Sequence, residues 1–127
     1  MQRLDEYIEI LKRLRTYSIE EFLGEPERYG SAERFLQLSI ELINDLGNHV
    51  VADAGLGTVA VSVDVPRLLN RHGILDADLA DHWVKMIGFR NILVHEYLNI
   101  DRRIVYETLS DNLNDFGRLR SAFAGLL

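Results

Sequence analysis

Four polar residues whose side chains are suited to chemistry occur close together in the last third of the chain. They are Arg90, Asn91, His95 and Tyr97, in a segment that is otherwise mostly apolar. Histidine exchanges a proton near neutral pH, whereas the guanidinium group of arginine stays charged and can hold two oxygens of a phosphate at once. His95 and Arg90 therefore suggest proton transfer next to an anionic group, and Asn91 could hold the histidine ring or a phosphate oxygen.

The spacing of these residues limits how they can share one site. Successive residues turn by about 100° around a helix, so Asn91 and His95 lie about 40° apart. Arg90 and Tyr97 lie about 20° apart, but Arg90 and His95 are separated by about 140°. The arginine and the histidine therefore converge only if the helix ends or distorts near His95, if the arginine side chain curls round, or if a second subunit supplies half of the site.

Each of these residues also has a purely structural interpretation. A single histidine in the middle of a helix is more often a packed or surface residue than a catalyst. Arg90 could form an ion pair with Asp45 or Glu41 of the preceding long helix. Tyr97 could pack its ring at the rim of the core and expose its hydroxyl group. The residue types alone leave both interpretations open.

One further spacing is compatible with a metal site. Glu41, Asp45 and His49 recur every four residues and so lie on one side of a helix. Carboxylate metal sites in helical bundles usually need a second set of Glu and His on a facing helix, and no Glu-x-x-His recurs in this chain. A solvated stripe, or a network that braces the motif arginine, is favoured and no metal is expected. His72 and His82 are interpreted as surface residues.

The apolar residues recur with the period of an amphipathic helix along most of the chain. This pattern predicts one helix near residues 4–17, three long helices near residues 27–54, 76–97 and 101–126, and two short helices near residues 18–24 and 65–73. The stripes on the long helices are wide enough to form a core and to leave apolar surface for a second subunit. The sequence predicts an all-α fold, an antiparallel up-and-down bundle of four to six helices, in a single domain of residues 1–127.

Local signals mark where these helices begin and where the chain turns. Ser18 and Glu21 have the spacing of a capping box, and Asp76 and Asp101 are placed to cap the last two long helices. Residues 59–63 alternate between apolar and small side chains, which would suit one exposed strand. Because such a strand would have no partner in this sequence, we expect a loop there.

Composition narrows the classes of protein that the chain can represent. Its 127 residues are 47% hydrophobic and 27% charged, and they include no cysteine. Thiol nucleophiles, zinc ribbons and iron–sulfur clusters are therefore excluded, and a cytoplasmic protein with no membrane span is expected. The formal net charge of −6 argues against a broad nucleic-acid footprint, so that any polyanionic partner must bind at a local site.

The motif segment resembles a known family. The run Arg90-Asn-Ile-Leu-Val-His95-Glu-Tyr97 is similar to the hallmark of the HepT-like ribonuclease toxins of the HEPN superfamily, in which Arg is followed after four to six residues by His and then by Tyr two places on. The resemblance covers most of the chain. It extends to residues 33–41, Asn48-His49, Leu56-Gly-Thr58, Gly88-Phe89, Ile100-Asp101 and Val105-Tyr106.

This resemblance implies a helical bundle that dimerises with the two motifs facing one another. It also implies an endoribonuclease that needs no metal and no other cofactor. In such a reaction the 2′-hydroxyl group of the RNA is the nucleophile, which requires a proton acceptor and a cation that stabilises the charge growing on the phosphate. His95 and Arg90 would meet these two needs as catalytic residues, with Asn91 and Tyr97 in support.

The resemblance also implies a partner. The chain would be the toxin of a two-gene toxin–antitoxin pair of the type II or type VII kind, neutralised by a nucleotidyltransferase of the MNT class that transfers AMP from ATP to Tyr97. The added negative charge would block the position of the RNA phosphate. The expected partners are thus RNA, this antitoxin and a second copy of the chain, with larger assemblies left open. The alternative is a helical adaptor or nucleotide-binding subunit of a nucleotidyltransferase complex that does not cut RNA.

Overall fold

The computed structural model describes residues 1–126 and their side chains, except the side chain of Tyr97. The described residues form six α-helices and one turn of 3-10 helix at Tyr97–Asn99. The helices are α1 (Gln2–Leu14), α2 (Ile19–Gly24), α3 (Pro26–Ala54), α4 (Asp64–Arg71), α5 (Ala77–His95) and α6 (Arg102–Ala124). The predicted all-α bundle is confirmed, and residues 59–63 are a loop, as expected.

The long helix α3 is the centre of the bundle. It packs against each of the other five helices in the described part of the chain, while α6 also packs on α1, α2 and α5. The predicted stripe of α3 is buried, and the largest side chains of the core come from α2, α5 and α6. The fully buried aromatic residues are Phe22, Trp83, Phe116 and Phe123. Burial of these stripes, rather than helix propensity, holds the bundle together.

The predicted caps begin α2, α5 and α6. The Ser18 hydroxyl group accepts a hydrogen bond from the N–H of Glu21 at 3.2 Å, and the Glu21 carboxylate accepts one from the N–H of Ser18 at 2.9 Å. The Asp76 carboxylate accepts from the N–H of Leu79 at 2.8 Å, and Asp101 caps α6 in a similar way. Each cap satisfies a backbone donor that has no partner inside its helix.

Two predicted helix ends are corrected by the structure. The first helix ends at Leu14 instead of near Tyr17, because Ser18 must adopt an extended conformation to cap α2. At the other end of the chain, α6 stops at Ala124, and Leu126 is 45% exposed rather than part of the buried stripe. No helix in the described residues combines the length and the apolar composition needed to cross a bilayer.

A close approach between helices sets the position of α5. Gly47 of α3 faces the indole of Trp83, and a Cβ atom at residue 47 would lie 2.5 Å from that ring and 2.6 Å from the side chain of Val65. The indole N–H donates to the Asn44 side chain at 2.8 Å, and the ring packs edge-on against Phe123 at 5.7 Å. The glycine therefore lets α5 lie close to α3, which places the motif beside the polar side of α3.

Candidate functional site

The motif lies where α5 ends and the chain turns towards α6. The last helical bond runs from the N–H of Glu96 to the carbonyl of Ile92 at 2.9 Å, and the N–H of Asn99 then bonds the Glu96 carbonyl at 2.9 Å in a tighter turn. The helix predicted to continue through Tyr97 thus stops at His95. The chain must leave the helix here because α6 begins at Arg102 and packs back against α3 and α5.

Arg90 is held by a carboxylate of the central helix. Its Nε and Nη2 atoms both donate to Oε1 of Glu41, at 3.0 Å and 2.7 Å, and Nη1 donates to Oδ1 of Asn91 at 3.3 Å. These bonds use three of the five N–H donors of a guanidinium and leave two for another ligand. Of the two ion pairs that the sequence allowed, the structure contains the one with Glu41. The arginine is therefore fixed in place and keeps donors for a phosphate.

The charge of Glu41 depends on this arrangement. Partial burial by itself would raise the pKa of the carboxyl group, but hydrogen bonds from Arg90 and Gln37, together with the positive charge of Arg90, lower the pKa below its ordinary value. The Gln37 amide donates to the same oxygen at 3.1 Å. Glu41 is thus a stable anion at neutral pH that orients the arginine.

A polar cavity, which we call the Arg90 cavity, opens beside the guanidinium group. Its volume is about 210 Å³. It lies between α3, α5 and the loop before α4, and most of its wall is polar. The lining residues are Glu41, Asn44, Asp45, Asn48, Ser62, Ile87, Arg90 and Asn91. The structure therefore brings together Arg90 and Asn91, two of the four residues singled out from the sequence, in a cavity with amide and carboxylate side chains.

His95 lies in a different recess. Its side chain is exposed at the end of α5, in a depression of about 290 Å³ formed with Glu96, Leu98 and Asn99. This recess shares no lining residue with the Arg90 cavity. Ending the helix at His95 therefore does not unite the histidine and the arginine in one cavity of a single chain.

Tyr97 is the first residue of the 3-10 turn, two positions after His95. Its side chain lies outside the described residues, so the roles predicted for its hydroxyl group stay predictions.

A second cation lies near the motif turn. The guanidinium of Arg102 stacks over the ring of Tyr29 at 4.3 Å, and its Nε lies 3.7 Å from a carboxylate oxygen of Glu33. Burial raises the pKa of Glu33 above its ordinary value, and the charge of Arg102 offsets this only in part. Glu33 and Gln37 precede Glu41 at intervals of four, so α3 presents a polar stripe towards the motif. That spacing is the signal by which Gln37 could have been recognised from the sequence.

Apolar side chains surround the motif on the outer surface of α5 and α6. Ile92 is 47% exposed, Leu98 81% and Ile104 50%. A groove of about 380 Å³ runs between the two helices; its lining residues are Lys85, Met86, Gly88, Phe89, Ile92, Ile104, Thr108 and Asn112. A contiguous apolar surface of this kind, rimmed by polar residues, is typical of a contact with another protein chain.

The contacts of His72 and His82, and the spacing that suggested a metal site, can be compared with the structure. His82 was expected on the surface, but its Nδ1 lies 2.9 Å from the buried carboxylate of Asp115, so it is half-buried and paired. His72 is exposed, with its ring 3.0 Å from the carbonyl of Leu56. Within residues 1–126, no group of three His, Asp or Glu side chains is arranged to hold a metal ion.

Comparison with known proteins agrees with the motif. Among curated proteins, the chain is 28% identical over 116 residues to the tRNA nuclease HepT of Aphanizomenon flos-aquae, an alignment that covers 91% of this chain and 79% of the relative. It is 35% identical over 81 residues to the mRNA nuclease HepT of Shewanella oneidensis, covering 64% and 61%.

A solved structure and a family model agree with these sequence similarities. A solved structure of a tri-AMPylated Shewanella oneidensis HEPN toxin in complex with an MNT antitoxin superposes with a TM-score of 0.80 at 26% identity, over 96% of each chain. The family model described as "Ribonuclease HepT-like" matches residues 4–122, which include the central helix α3, the Arg90 cavity and the turn after His95. With the motif and its supporting helices inside that match, the chain belongs to the HepT-like ribonuclease family.

Proposed function

We propose that this protein is an endoribonuclease toxin that cuts RNA without a metal ion. His95 accepts the proton of a 2′-hydroxyl group, the 2′-oxygen attacks the adjacent phosphorus, and the 5′-oxygen leaves and takes up a proton from water. The products are a 2′,3′-cyclic phosphate and a 5′-hydroxyl end. Arg90 binds the phosphate oxygens and stabilises the charge that develops on them. The observation that carries the proposal is the fixed guanidinium of Arg90, held by Glu41 with two N–H donors left over.

The proposed active form is a symmetric homodimer in which each site combines Arg90 of one copy with His95 of the other. Two observations support it. The two residues occupy separate recesses of one chain, and apolar side chains at Ile92, Leu98 and Ile104 are exposed around them. A twofold axis near this surface would bury the same apolar patch on both copies. The proposed site of action is the cytoplasm, where the RNA substrate is found.

The proposed antitoxin is a nucleotidyltransferase of the MNT class. The Tyr97 hydroxyl group attacks the α-phosphorus of ATP, AMP becomes attached to the tyrosine, and pyrophosphate leaves. The adduct places negative charge and bulk two residues from His95, where the RNA phosphate has to bind. The tri-AMPylated HEPN toxin that was solved with its MNT antitoxin supports this assignment by similarity. Mass spectrometry of the protein co-expressed with its partner would locate the adduct, and an AMP group on another residue would contradict the assignment.

The decisive experiment measures RNA cleavage by the purified protein in EDTA. Wild-type protein is expected to produce fragments that end in a 2′,3′-cyclic phosphate, and H95A and R90A are expected to produce none while keeping wild-type helical content by circular dichroism. Cleavage by either folded variant at the wild-type rate would contradict the roles assigned to His95 and Arg90. Binding of RNA or nucleotide without cleavage by the wild-type protein would favour the helical adaptor, which the net charge of −6 also favours.

A further inference from the structure

We infer that the Arg90 cavity is a nucleobase pocket, which accepts a base with an exocyclic amino group next to the phosphodiester bond that is cut and discriminates against uracil. This inference rests on the proposed ribonuclease function, because the phosphate attached to that base is the one that Arg90 binds.

The orientation of two amide side chains in the cavity is determined by their partners. The indole N–H of Trp83 can only donate, so the atom of Asn44 that lies 2.8 Å from it is the carbonyl oxygen. A guanidinium also only donates, so the Asn91 atom 3.3 Å from Arg90 is an oxygen as well. Both side chains therefore keep their NH₂ groups for another acceptor. Trp83 is fully buried and holds Asn44 in this orientation.

The same cavity contains an acceptor that the described residues do not use. Asp45 is exposed at the cavity wall, and its carboxylate forms no hydrogen bond or ion pair within residues 1–126. Oε1 of Glu41, by contrast, already accepts from both Arg90 and Gln37. The cavity therefore presents amide donors from Asn44 and Asn91, of which Asn44 is held by the buried Trp83, together with the carboxylate of Asp45.

The charges of the residues that line the Arg90 cavity indicate which kind of ligand fits it. Two carboxylates and one guanidinium give the wall a net negative charge, which disfavours a phosphate in the interior, while the amide side chains add hydrogen-bond donors beside the carboxylates. A neutral group with both hydrogen-bond donors and acceptors fits better. Cytosine, adenine and guanine each present an amino group beside an acceptor, and carboxylates accept well from such amino groups. Uracil has no exocyclic amino group, and its one donor on this edge, N3–H, lies between two carbonyl oxygens, so a carboxylate that accepts from N3–H also comes close to these oxygens.

Size and position are consistent with a base attached to the bound phosphate. A volume of about 210 Å³ corresponds to the space of about seven water molecules. Ile87 supplies an apolar part of the wall against which the face of a base can pack. Because Arg90 is itself part of the wall, a base in the cavity would leave its own phosphate at the two remaining guanidinium donors.

The test measures binding to RNA that cannot be cut. Fluorescence anisotropy would be recorded with labelled 2′-O-methyl tetranucleotides in which each position in turn carries A, C, G or U. Wild-type protein is expected to bind an amino-bearing base about tenfold more tightly than uracil at one position, the size expected of one specific base contact. Asp45→Asn should lose most of this preference, because the amide replaces an acceptor oxygen with a donor. Asp53→Asn, an exposed substitution on the same helix outside the cavity, should keep it.

A second measurement separates failure of this inference from failure of the proposed function. Cleavage sites would be mapped on an RNA pool of mixed sequence with wild-type protein and Asp45→Asn. If wild-type protein cuts but shows no base preference, prefers uracil, or keeps its preference in Asp45→Asn, the pocket assignment is wrong and the ribonuclease stands. If wild-type protein does not cut RNA, the proposed function is wrong. The anisotropy measurement still shows whether the Arg90 cavity binds a base. Absence of any base-dependent binding there overturns the inference.

Discussion

The pair formed by Arg90 and Glu41 connects the sequence motif to the central helix. Without Glu41, the guanidinium would sample many positions and would have to be ordered again for each phosphate that it is proposed to bind. In the proposed reaction the ion pair orients the guanidinium before RNA binds, which would lower the entropy cost of reaching the transition state. Glu41 therefore acts as a positioning residue for Arg90.

Replacement of this carboxylate should reduce catalysis more than folding. We expect Glu41→Ala to lower kcat by about ten- to a hundredfold, the loss typical of a misplaced catalytic group. Steady-state cleavage of a labelled oligonucleotide measures it, and Asp53→Ala serves as a control on the same helix. An unchanged kcat in folded Glu41→Ala would show that Arg90 is oriented by other contacts.

The lowered pKa of Glu41 also predicts how stability depends on pH. In the folded state this pKa lies below its ordinary value of 4.5, so at mildly acidic pH the unfolded chain binds the proton more readily than the folded one. The contribution of the ionised Glu41 to the free energy of unfolding is therefore fully present above the ordinary pKa of 4.5, and it is lost as the pH falls through the pKa of the folded state. Urea unfolding from pH 3 to 7 measures the free energy of unfolding of wild type and of Glu41→Gln. The difference between these two free energies should be constant near neutrality and should shrink below pH 4.5. A difference independent of pH would contradict this.

At the scale of the helices, the contact between α3 and α5 determines where the motif lies. Gly47 permits the approach of Trp83, whose indole in turn orients the Asn44 amide in the Arg90 cavity. The spacing between α3 and α5 also sets the reach from Arg90 to Glu41. One glycine in the core thus affects the geometry of the site.

Two glycines of α3 test this contact. Gly47→Ala should destabilise the fold by about 1–3 kcal/mol, because its Cβ would overlap the Trp83 ring and the surrounding core is closely packed. Gly30→Ala is the matched control: a Cβ there meets nothing within 4 Å, so the better helix propensity of alanine should leave stability unchanged or raise it by up to about 1 kcal/mol. Chemical denaturation measures both. Equal effects would show that helix propensity, and not the Trp83 contact, governs residue 47.

At the scale of the whole molecule, one chain presents the residues of the proposed site but does not bring Arg90 and His95 into one cavity. The exposed apolar residues of α5, α6 and the turn between them lie on the surface that a second copy would have to cover. The proposed dimer accounts for both features with one contact.

A charge in this surface should prevent dimerisation. Ile92→Asp would place a carboxylate in an interface with no partner for it, which is costly to bury. We expect the molar mass from light scattering to change from that of a dimer to that of a monomer, and we expect RNA cleavage to fall in parallel. Val61→Asp, at an apolar residue that is exposed outside this surface, should do neither. A monomeric wild-type protein that cuts RNA would contradict the composite site.

Mixing two inactive variants would test which chain supplies each residue. If Arg90 and His95 of one site come from different copies, a dimer of R90A with H95A contains one intact site and one site that lacks both residues. Random exchange should then restore about a quarter of the wild-type sites, since half of the dimers are mixed. No recovery after subunit exchange, verified by mass spectrometry, would place both residues of a site in the same chain.

The sequence by itself was sufficient for the features that depend on local order. Periodic apolar residues predicted the helices, and capping side chains such as Ser18 and Asp76 predicted where they begin, because both signals act over a few residues. The spacing from Arg90 to His95 likewise indicated that the two residues point to different sides of a straight helix.

Contacts between distant segments were decided only by the tertiary structure. Glu41 and Asp45 lie one turn apart on α3, and both were candidates for the ion pair with Arg90. The approach of Trp83 to Gly47 sets the position of α5 along α3, and in this position Arg90 pairs with Glu41. The partner of His82, Asp115, is 33 residues away on α6. The periodicity of one helix shows which of its faces is buried, whereas its neighbour and the register between them depend on the packing of both side-chain surfaces.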